Sequence, residues 1–487
     1  MLHGALNATE SVSRPGDRWI YPIHRSRLWV HADGTSVTCA HVSSVGRTAW
    51  CNLGARIESM ASPVNPPRGM RDFLPAEKAT RERVLNEIRR VYRAHGFDEI
   101  ETPVMEDSSR LHAGLGGDNE KLAFAVMKRG LTVDDLAAAT DPLELADLGL
   151  RFDLTVPLAR FYASHRGELP PVFRAIQIAP VWRAERPQKG RFRQFVQCDI
   201  DILGEPGPLA EIELLTASAA TLDALGLEGC SIRLNDRRLL TSMLEILGFP
   251  SASHDAVLVT VDKLDKLGAE GVVAELRERG SDAAAVDALA AFLRRPQTLE
   301  AASTSGTPFG EAAIRKALPE GVNPAAVAEL ALIGEAVNSI TGRDLVQYDP
   351  WLVRGMGYYT GAIFEVAHPT LGYSLGGGGR YDGMIGRFLG SDVPAAGFSL
   401  GFERIVDLVE LPEIGASDAV ALVYDADVPP ATVVALQKQL VGEGRRVRLE
   451  RSRKNMAPLL AQLAGSGFAE YAVVTASTTK PEFRKLA

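Results

Sequence analysis

The sequence has no run of about 18 apolar residues, so no stretch of it reads as a membrane-spanning helix. Cysteine is scarce. Cys39, Cys51, Cys198 and Cys230 form neither a C-x-x-C pair nor a metal-ligand spacing, which argues against a disulfide framework or a zinc site and fits the reducing cytoplasm. Positive charge is not in excess: the net charge is −8, so any contact with nucleic acid must rely on local patches. The one long glycine run is not followed by Lys-Ser/Thr, which excludes the P-loop. No apolar segment of the secretory type follows the first residues. What remains is a 487-residue chain, 46% apolar, too long for one core and expected to form two to four domains.

Residues 1–59 differ from the rest. They hold three of the five Trp, four of the nine His and six Arg but no Lys, and they show no sustained helix or strand period. We expect a poorly ordered, dispensable extension, either an over-long start or a targeting arm. Glu10, Asp17, Asp33 and Glu58 weigh against a transit peptide.

The stretch Phe173 to Leu203 organises the rest of the chain. Two β-rich runs flank a polar break, Glu185 to Gly190, that contains Pro187 and Gly190, the signature of a hairpin with a long loop. The loop and its shoulders carry Arg183, Arg186, Lys189, Arg191 and Arg193. In the returning run Arg191, Arg193, Phe195, Gln197, Asp199 and Asp201 share one parity and so one face of a strand. A solvated basic hairpin would explain a lone charge cluster. Gln197 and Asp201 sit among apolar residues, however, and the arginine spacing suits a polyphosphate, whose oxygens guanidinium forks bind in pairs.

Several other segments carry signals. Glu77 to Ala94 has helical apolar spacing, ended by Gly96, and Phe97 to Met105 reads as an edge strand because of Pro103. Leu150 to Pro157 runs from a strand into a helix start that Thr155 or Asp153 caps, and for Thr155 capping is favoured over a functional role. Asp153 also lies where a carboxylate and helix N–H groups together suit an ammonium and a phosphate. Leu209 to Leu225 is expected to be an amphipathic helix. Residues 240 to about 340 read as a helical insertion broken at Gly248, Gly268, Gly280 and Gly306. The four glycines before Arg380 imply either close backbone approach or positive φ. Arg404 opens a helix after the strand Ala395 to Leu400. Beyond a linker at Pro412 to Ser417, alternating strands and helices over 416–487 predict a small α/β domain. That domain holds ten Lys or Arg against seven Asp or Glu, a net +3, with a basic cluster from Arg445 to Lys454; a solvated face or a nucleic-acid patch explains it.

Together these segments resemble the class II aminoacyl-tRNA synthetases and, within them, the histidyl-tRNA synthetase family, over roughly residues 66 to 487. The three class motifs are matched in order: the helix with Gly96 to Pro103; Trp182-Arg183-Ala184-Glu185 with its loop and Arg191 to Phe195; and Gly397 to Arg404. The histidine-specific matches are Leu150 to Pro157, Arg186 to Arg191, Arg354-Gly355 with Tyr358-Tyr359, and Gly377 to Asp382. Gly357 stands where the family usually has Asp.

The resemblance implies an α/β multidomain protein. Its catalytic domain, residues 60–411, would be a class II antiparallel sheet flanked by helices, with the helical insertion. Residues 416–487 would form a three-layer α/β anticodon-binding domain. It further implies activation of L-histidine by ATP, with Mg2+ accompanying the ATP, transfer to tRNA(His), and a homodimer built on the first motif. Arg183 and Arg354 are then the catalytic cations, and Arg183, Glu185 and Arg404 bind ATP. Asp153, Leu154, Thr155, Gln197, Asp201, Tyr358 and Tyr359 bind histidine or its adenylate: Asp153 and Thr155 at the ammonium, Gln197 at the carboxylate or adenylate, Asp201 and the tyrosines at the imidazole. No protein metal site is expected. The alternative is a non-catalytic paralogue regulating histidine biosynthesis; the joint presence of Arg183, Arg354 and Arg404 favours the enzyme.

Overall fold

The computed structural model describes residues 64–112, 122–188, 190–294, 309–354, 358–410 and 418–486, and the backbone of four strands nearer the N-terminus. The chain divides into two compact units at Pro66/Pro67. In the first, β1 (Arg18–Ile23), β2 (Ser26–Ala32), β3 (Val37–Val42) and β4 (Thr48–Leu53) pair in sequence as an antiparallel meander. No strand period was expected here. The apolar residues of these segments are consecutive, as in Leu28-Trp29-Val30, and that hides the alternation of a strand. Whether the remainder of this extension is poorly ordered lies outside the described residues.

The second unit is built on an eight-stranded sheet. Its members are β5 (Asp98–Glu99), β9 (Phe173–Trp182), β10 (Gln194–Leu203), β11 (Ser231–Asp236), β12 (Val346–Tyr348), β13 (Ala362–Ala367), β14 (Gly376–Arg380) and β15 (Ala395–Gly401). The order is β12-β11-β13-β14-β15-β10-β9-β5; pairing is antiparallel except at the two edges, where β12 and β5 run parallel to their neighbours. The edge strand expected over Phe97 to Met105 is only partly formed: β5 is an edge strand but ends at Glu99, before Pro103, and Met105 starts a strand of another sheet. A separate small sheet joins β6 (Met105–Asp107), β7 (Phe124–Met127) and β8 (Ala146–Leu150) in the order β6-β8-β7.

The hairpin forms where the sequence places it, with Gln194 opposite Trp182 and Leu203 opposite Phe173. The returning strand begins at Gln194, however, so Arg191 and Arg193 belong to the loop and not to the strand face. Beyond Trp182 the regular ladder gives way to one backbone hydrogen bond, from the Arg183 N–H to the Arg193 carbonyl at 2.8 Å, and a single bridge between Gln188 and Arg191.

One face of the sheet is apolar: Cys198, Ile200 and Ile202 of β10 lie opposite Leu400, Phe398 and Ala396 of β15 and are buried against the helices Pro75–Ala94 and Leu209–Ala224. The latter helix was expected to be amphipathic. It is buried on most sides, with Ala210, Leu214, Ala217, Ser218, Thr221 and Leu222 all enclosed, because it lies between the sheet, the helix Pro75–Ala94 and the helix Pro324–Thr341. The insertion between β11 and β12 is helical, as its composition implies, and shares this core. Gly248 and Gly280 follow helix ends and Gly268 kinks the helix Leu264–Glu278; Gly306 lies outside the described residues.

The C-terminal region forms its own sheet of β16 (Ala419–Tyr424), β17 (Arg446–Arg451), β18 (Glu470–Val474) and β19 (Arg484–Lys485). Val420 and Leu422 face the helix Pro430–Gly442, while Ala421 and Val423 face the helix Ala457–Gly465, which makes three layers. The expected linker at Pro412 to Ser417 lies outside the described residues. Among the described residues no helix is long and apolar enough to cross a membrane.

A single buried carboxylate links distant parts of the unit. Glu403, in the turn after β15, accepts two hydrogen bonds of 2.7 Å from the Arg81 guanidinium, pairs with Arg71, and accepts from the Val196 backbone N–H at 3.2 Å. Arg81 and Glu403 are each only 7% exposed. Removing one partner of a buried pair leaves the other charge inadequately matched. Arg81→Met should therefore cost about 3 kcal/mol in urea unfolding, the low end for such pairs because Arg71 remains. A loss below about 0.5 kcal/mol, the range of ordinary surface substitutions, would contradict this.

Candidate active site

The second face of the sheet is polar, and its floor can be read strand by strand. Gln177, Asp199, Ser399, Gly377 and Glu365 are mutual partners across β9, β10, β15, β14 and β13 and form one row. One pleat away, Ala175, Asp201, Gly397, Gly379 and Ile363 form a second row. Beyond it Phe173, Leu203 and Ala395 close that end with apolar side chains. Successive rows on one face are about 7 Å apart.

Glycine in these rows leaves space that other side chains fill. A Cβ at Gly377 would overlap the Arg354 guanidinium, one at Gly379 would lie 3.0 Å from the Tyr359 ring, and one at Gly397 would overlap the Asp201 carboxylate. Of the two readings of the glycine run, close approach holds: Gly376 to Gly379 are extended strand. Arg380, which follows, is turned away and forms a bidentate pair with buried Glu211, both bonds 2.6 Å.

Above the floor lies a cavity of about 710 Å³. Asp153, Thr155, Arg183, Glu185, Gln197, Asp201, Arg354, Tyr358, Tyr359 and Arg404 all line it, so nearly every residue singled out in the sequence converges here. Leu154 does not: it is fully buried, and its carbonyl accepts from Gln177 Nε2 at 2.9 Å. Its contribution is to anchor the turn that carries Asp153 and Thr155. Of the two candidate caps, Asp153 serves. Asp153 Oδ1, and not Thr155, accepts the Val156 N–H, at 3.2 Å, because the helix starts at Thr155 and leaves that side chain free to face the cavity.

The cations are held from behind. Arg183 Nε donates to the Phe152 carbonyl at 3.0 Å, and its guanidinium lies 5.0 Å from the Phe195 ring. Arg354 Nη1 donates to Glu365 Oε2 at 2.6 Å and to the Gly376 carbonyl at 3.3 Å. Arg404 donates to the Ser374 carbonyl and stacks 5.0 Å from the Tyr373 ring. Burial, together with the cations Arg191 and Arg354, pushes the Arg404 pKa down, as expected of a group lacking an anion. Glu185 pairs with Arg191 at 2.8 Å across the loop. Arg193 is structural: its Nε donates to the Glu185 carbonyl at 2.9 Å. Lys189 and the Gly355 to Gly357 segment, including the glycine that replaces the usual Asp, lie outside the described residues.

Carboxyls line the same cavity. Burial raises the pKa of Asp153 to about 6, against the pull of Arg183, and that of Asp201 to about 7, against the hydrogen bond that Tyr381 Oη donates to it at 2.6 Å. The Tyr358 and Tyr359 rings lie against each other at a tilt of 44°, with centroids 4.2 Å apart. Residues that sequence reasoning did not assign are Asp199, Tyr381, Ser399, Gln177 and Glu403. The parity of β10 pointed to Asp199; Tyr381 lies in the matched segment Gly377 to Asp382, and Ser399 and Glu403 lie in Gly397 to Arg404, but no role was given to them there, and nothing local pointed to Gln177.

Comparison with known proteins agrees with this geometry. The family profile described as Histidyl-tRNA synthetase matches residues 69–405. The chain is 61% identical over 424 residues to the histidine–tRNA ligase of Leifsonia xyli subsp. xyli, a match that covers 86% of this chain and 97% of that protein. Among solved structures, the histidyl-tRNA synthetase of Nostoc sp. PCC 7120 aligns with a TM-score of 0.65 at 24% identity, covering 87% of this chain and 95% of that one. A Bacillus halodurans C protein described as an ATP phosphoribosyltransferase regulatory subunit/histidyl-tRNA synthetase aligns at 0.66 and 21% identity, covering 85% and 99%. Similarity at those two identities speaks to the fold alone. The 61% relative and the profile decide between the readings, and the regulatory alternative is not favoured. The chain belongs to the histidyl-tRNA synthetase family and is an aminoacyl-tRNA ligase of the histidine type.

Proposed function

We propose that the cavity binds ATP and L-histidine side by side and joins them in two steps. A histidine carboxylate oxygen attacks the α-phosphorus, the bond to the bridging β-phosphate oxygen breaks, and pyrophosphate leaves. A ribose hydroxyl at the 3′ end of tRNA(His) then attacks the acyl carbon and AMP leaves. The first step brings two anions together, so fixed cations aimed at the phosphates supply most of the stabilisation. The observation that carries the reading is the placement of Arg183, Arg354 and Arg404 around one cavity, each guanidinium fixed from behind by a carbonyl or carboxylate of the protein.

In this reading Arg183 and Arg354 grip the α-phosphate from two sides and Arg404 takes the γ-phosphate, while the loop bearing Glu185 covers the adenosine. Mg2+ enters with ATP as part of the substrate. Asp153 and Thr155 take the ammonium. Gln197 directs its NH2 to Ser399 Oγ, 3.2 Å, and towards Asp199, 3.4 Å, which leaves its carbonyl oxygen as an acceptor, better suited to the ammonium than to a carboxylate. Asp201 and the Tyr358-Tyr359 pair read the imidazole, whose two nitrogens need one acceptor and one donor. A site of this kind rejects apolar isosteres without editing.

The protein would act in the cytoplasm as a homodimer. The edge strand β5, beside the helix Pro75–Ala94, offers a place for the second copy. In the C-terminal domain Arg446 and Arg448 lie over Phe468, at 4.7 and 4.6 Å. Arg451, Arg453 and Lys454 are exposed at the end of edge strand β17 and suit the anticodon backbone.

ATP–pyrophosphate exchange measured with each amino acid in turn should occur with histidine alone; exchange with none, or faster with another, would contradict the reading. Arg354→Ala should lower the histidine-dependent rate a hundredfold or more, and a near-normal rate would remove its assigned role. Tyr381→Phe deletes the hydrogen bond that holds the Asp201 pKa down. The acid limb of kcat/KM for histidine, expected near pH 7, should move to higher pH in that variant. An unmoved limb would show that Asp201 ionisation does not govern binding.

A further inference from the structure

Asp199 stands in the same row as Ser399 and the Arg354 guanidinium, one pleat from Asp201 and one from Gln197. It is 4% exposed and lines the cavity. Its two oxygens differ. Oδ2 lies 3.4 Å from Gln197 Nε2, whereas Oδ1 is buried and has no hydrogen-bond partner among the described residues. The carbonyl oxygen of Gln197, itself only 9% exposed, is likewise without a partner there. Two unmatched acceptors on one strand face, inside a cavity, call for a ligand group that brings several donors and no acceptor. An ammonium does so, with three N–H bonds.

We propose that Asp199 binds the α-ammonium of the amino-acid substrate, joining Asp153, Thr155 and the Gln197 carbonyl as acceptors for its three N–H groups. This rests on the reading of the cavity as a histidine site. The sheet register sets the level. Asp201, proposed to read the imidazole, is one row below, about 7 Å away, and the α-carbon of histidine separates its ring from the carboxylate that must reach Arg183 and Arg354. The α-amino group therefore falls at the level of Asp199. Asp199 cannot serve the phosphates, since its charge repels them. It does not serve as a structural ion pair either, because the guanidinium in its row, Arg354, is held by Glu365 at 2.6 Å. Burial and the neighbouring carboxylates Asp201 and Asp153 push the Asp199 pKa up, outweighing the nearby Ser399 hydroxyl and Arg183, and a bound cation relieves that penalty.

Calorimetry on the full chain, wild type and Asp199→Asn, tests the assignment with three ligands: L-histidine, L-histidinol, which keeps the ammonium but lacks the carboxylate, and imidazole-propionate, which lacks the ammonium. Asn preserves the shape and one acceptor but removes the charge. Histidine and histidinol should each bind about tenfold or more weakly to the variant, the scale of a hydrogen bond to a charged group. Imidazole-propionate should bind the two proteins within about twofold. Equal weakening of all three ligands, unchanged histidine affinity, or simultaneous loss of ATP binding would each overturn the assignment. Wild-type affinity for histidine reports on the underlying reading of the site, and the ratio of variant to wild type reports on Asp199.

Discussion

The carboxylate of Glu403 holds together segments that the chain separates by more than 300 residues. A buried carboxylate must be matched by donors, and Glu403 has two guanidiniums and a backbone N–H. Arg81 comes from the first long helix, Val196 from β10, and Glu403 itself from the turn that follows β15. Because Arg404 is the next residue, fixing Glu403 also fixes where that cation enters the cavity. Because Val196 precedes Gln197, the same interaction fixes the start of the polar face of β10. Arg71 extends the cluster to the loop, with its guanidinium 3.6 Å from the Phe192 ring centroid. One ion cluster thus sets the positions of the start of β10, the loop and Arg404 together.

On that frame the cavity gathers charge of both signs over one face of the sheet. Cations surround the side where phosphates would lie, and Asp153, Asp199 and Asp201 lie where an amino acid carrying one or two positive charges would lie. The glycines of β14 and β15 make this possible, since Arg354, Tyr359 and Asp201 occupy the space their side chains would have taken. The arrangement costs stability in the empty protein. Asp153 and Asp201 have raised pKa values when folded, so folding takes up protons there. Their favourable contribution is full below the ordinary carboxylate range and is lost as pH rises through about 6 and 7. At neutral pH the empty site works against the fold, and a cationic ligand offsets this.

Much of the site was legible because it lies in continuous segments. The hairpin, the parity of Gln197 to Asp201 and the arginines at segment ends all follow from local rules of turn chemistry and period. Tyr381, Ser399 and Glu403 lie in segments that resemble the family, but their individual roles were not legible, because those depend on which strands are neighbours, and register between strands far apart in the chain leaves no local mark. The choice between Thr155 and Asp153 as the cap was left open for a similar reason: one residue in the helix start decides it, and boundaries are set by contacts such as Gln177 with the Leu154 carbonyl. The loop residues Arg191 and Arg193 kept the parity of the strand without belonging to it.

The central claim is that the carboxylate rows receive the amino acid and the arginines receive the phosphate. A crystal structure with a non-hydrolysable histidyl-adenylate analogue addresses it directly. The imidazole should lie between Asp201 and the Tyr358-Tyr359 pair, over the Gly379–Gly397 floor, with the phosphate mimic between Arg183 and Arg354. An imidazole turned towards the arginines, or a phosphate mimic bound away from both of them, would contradict it.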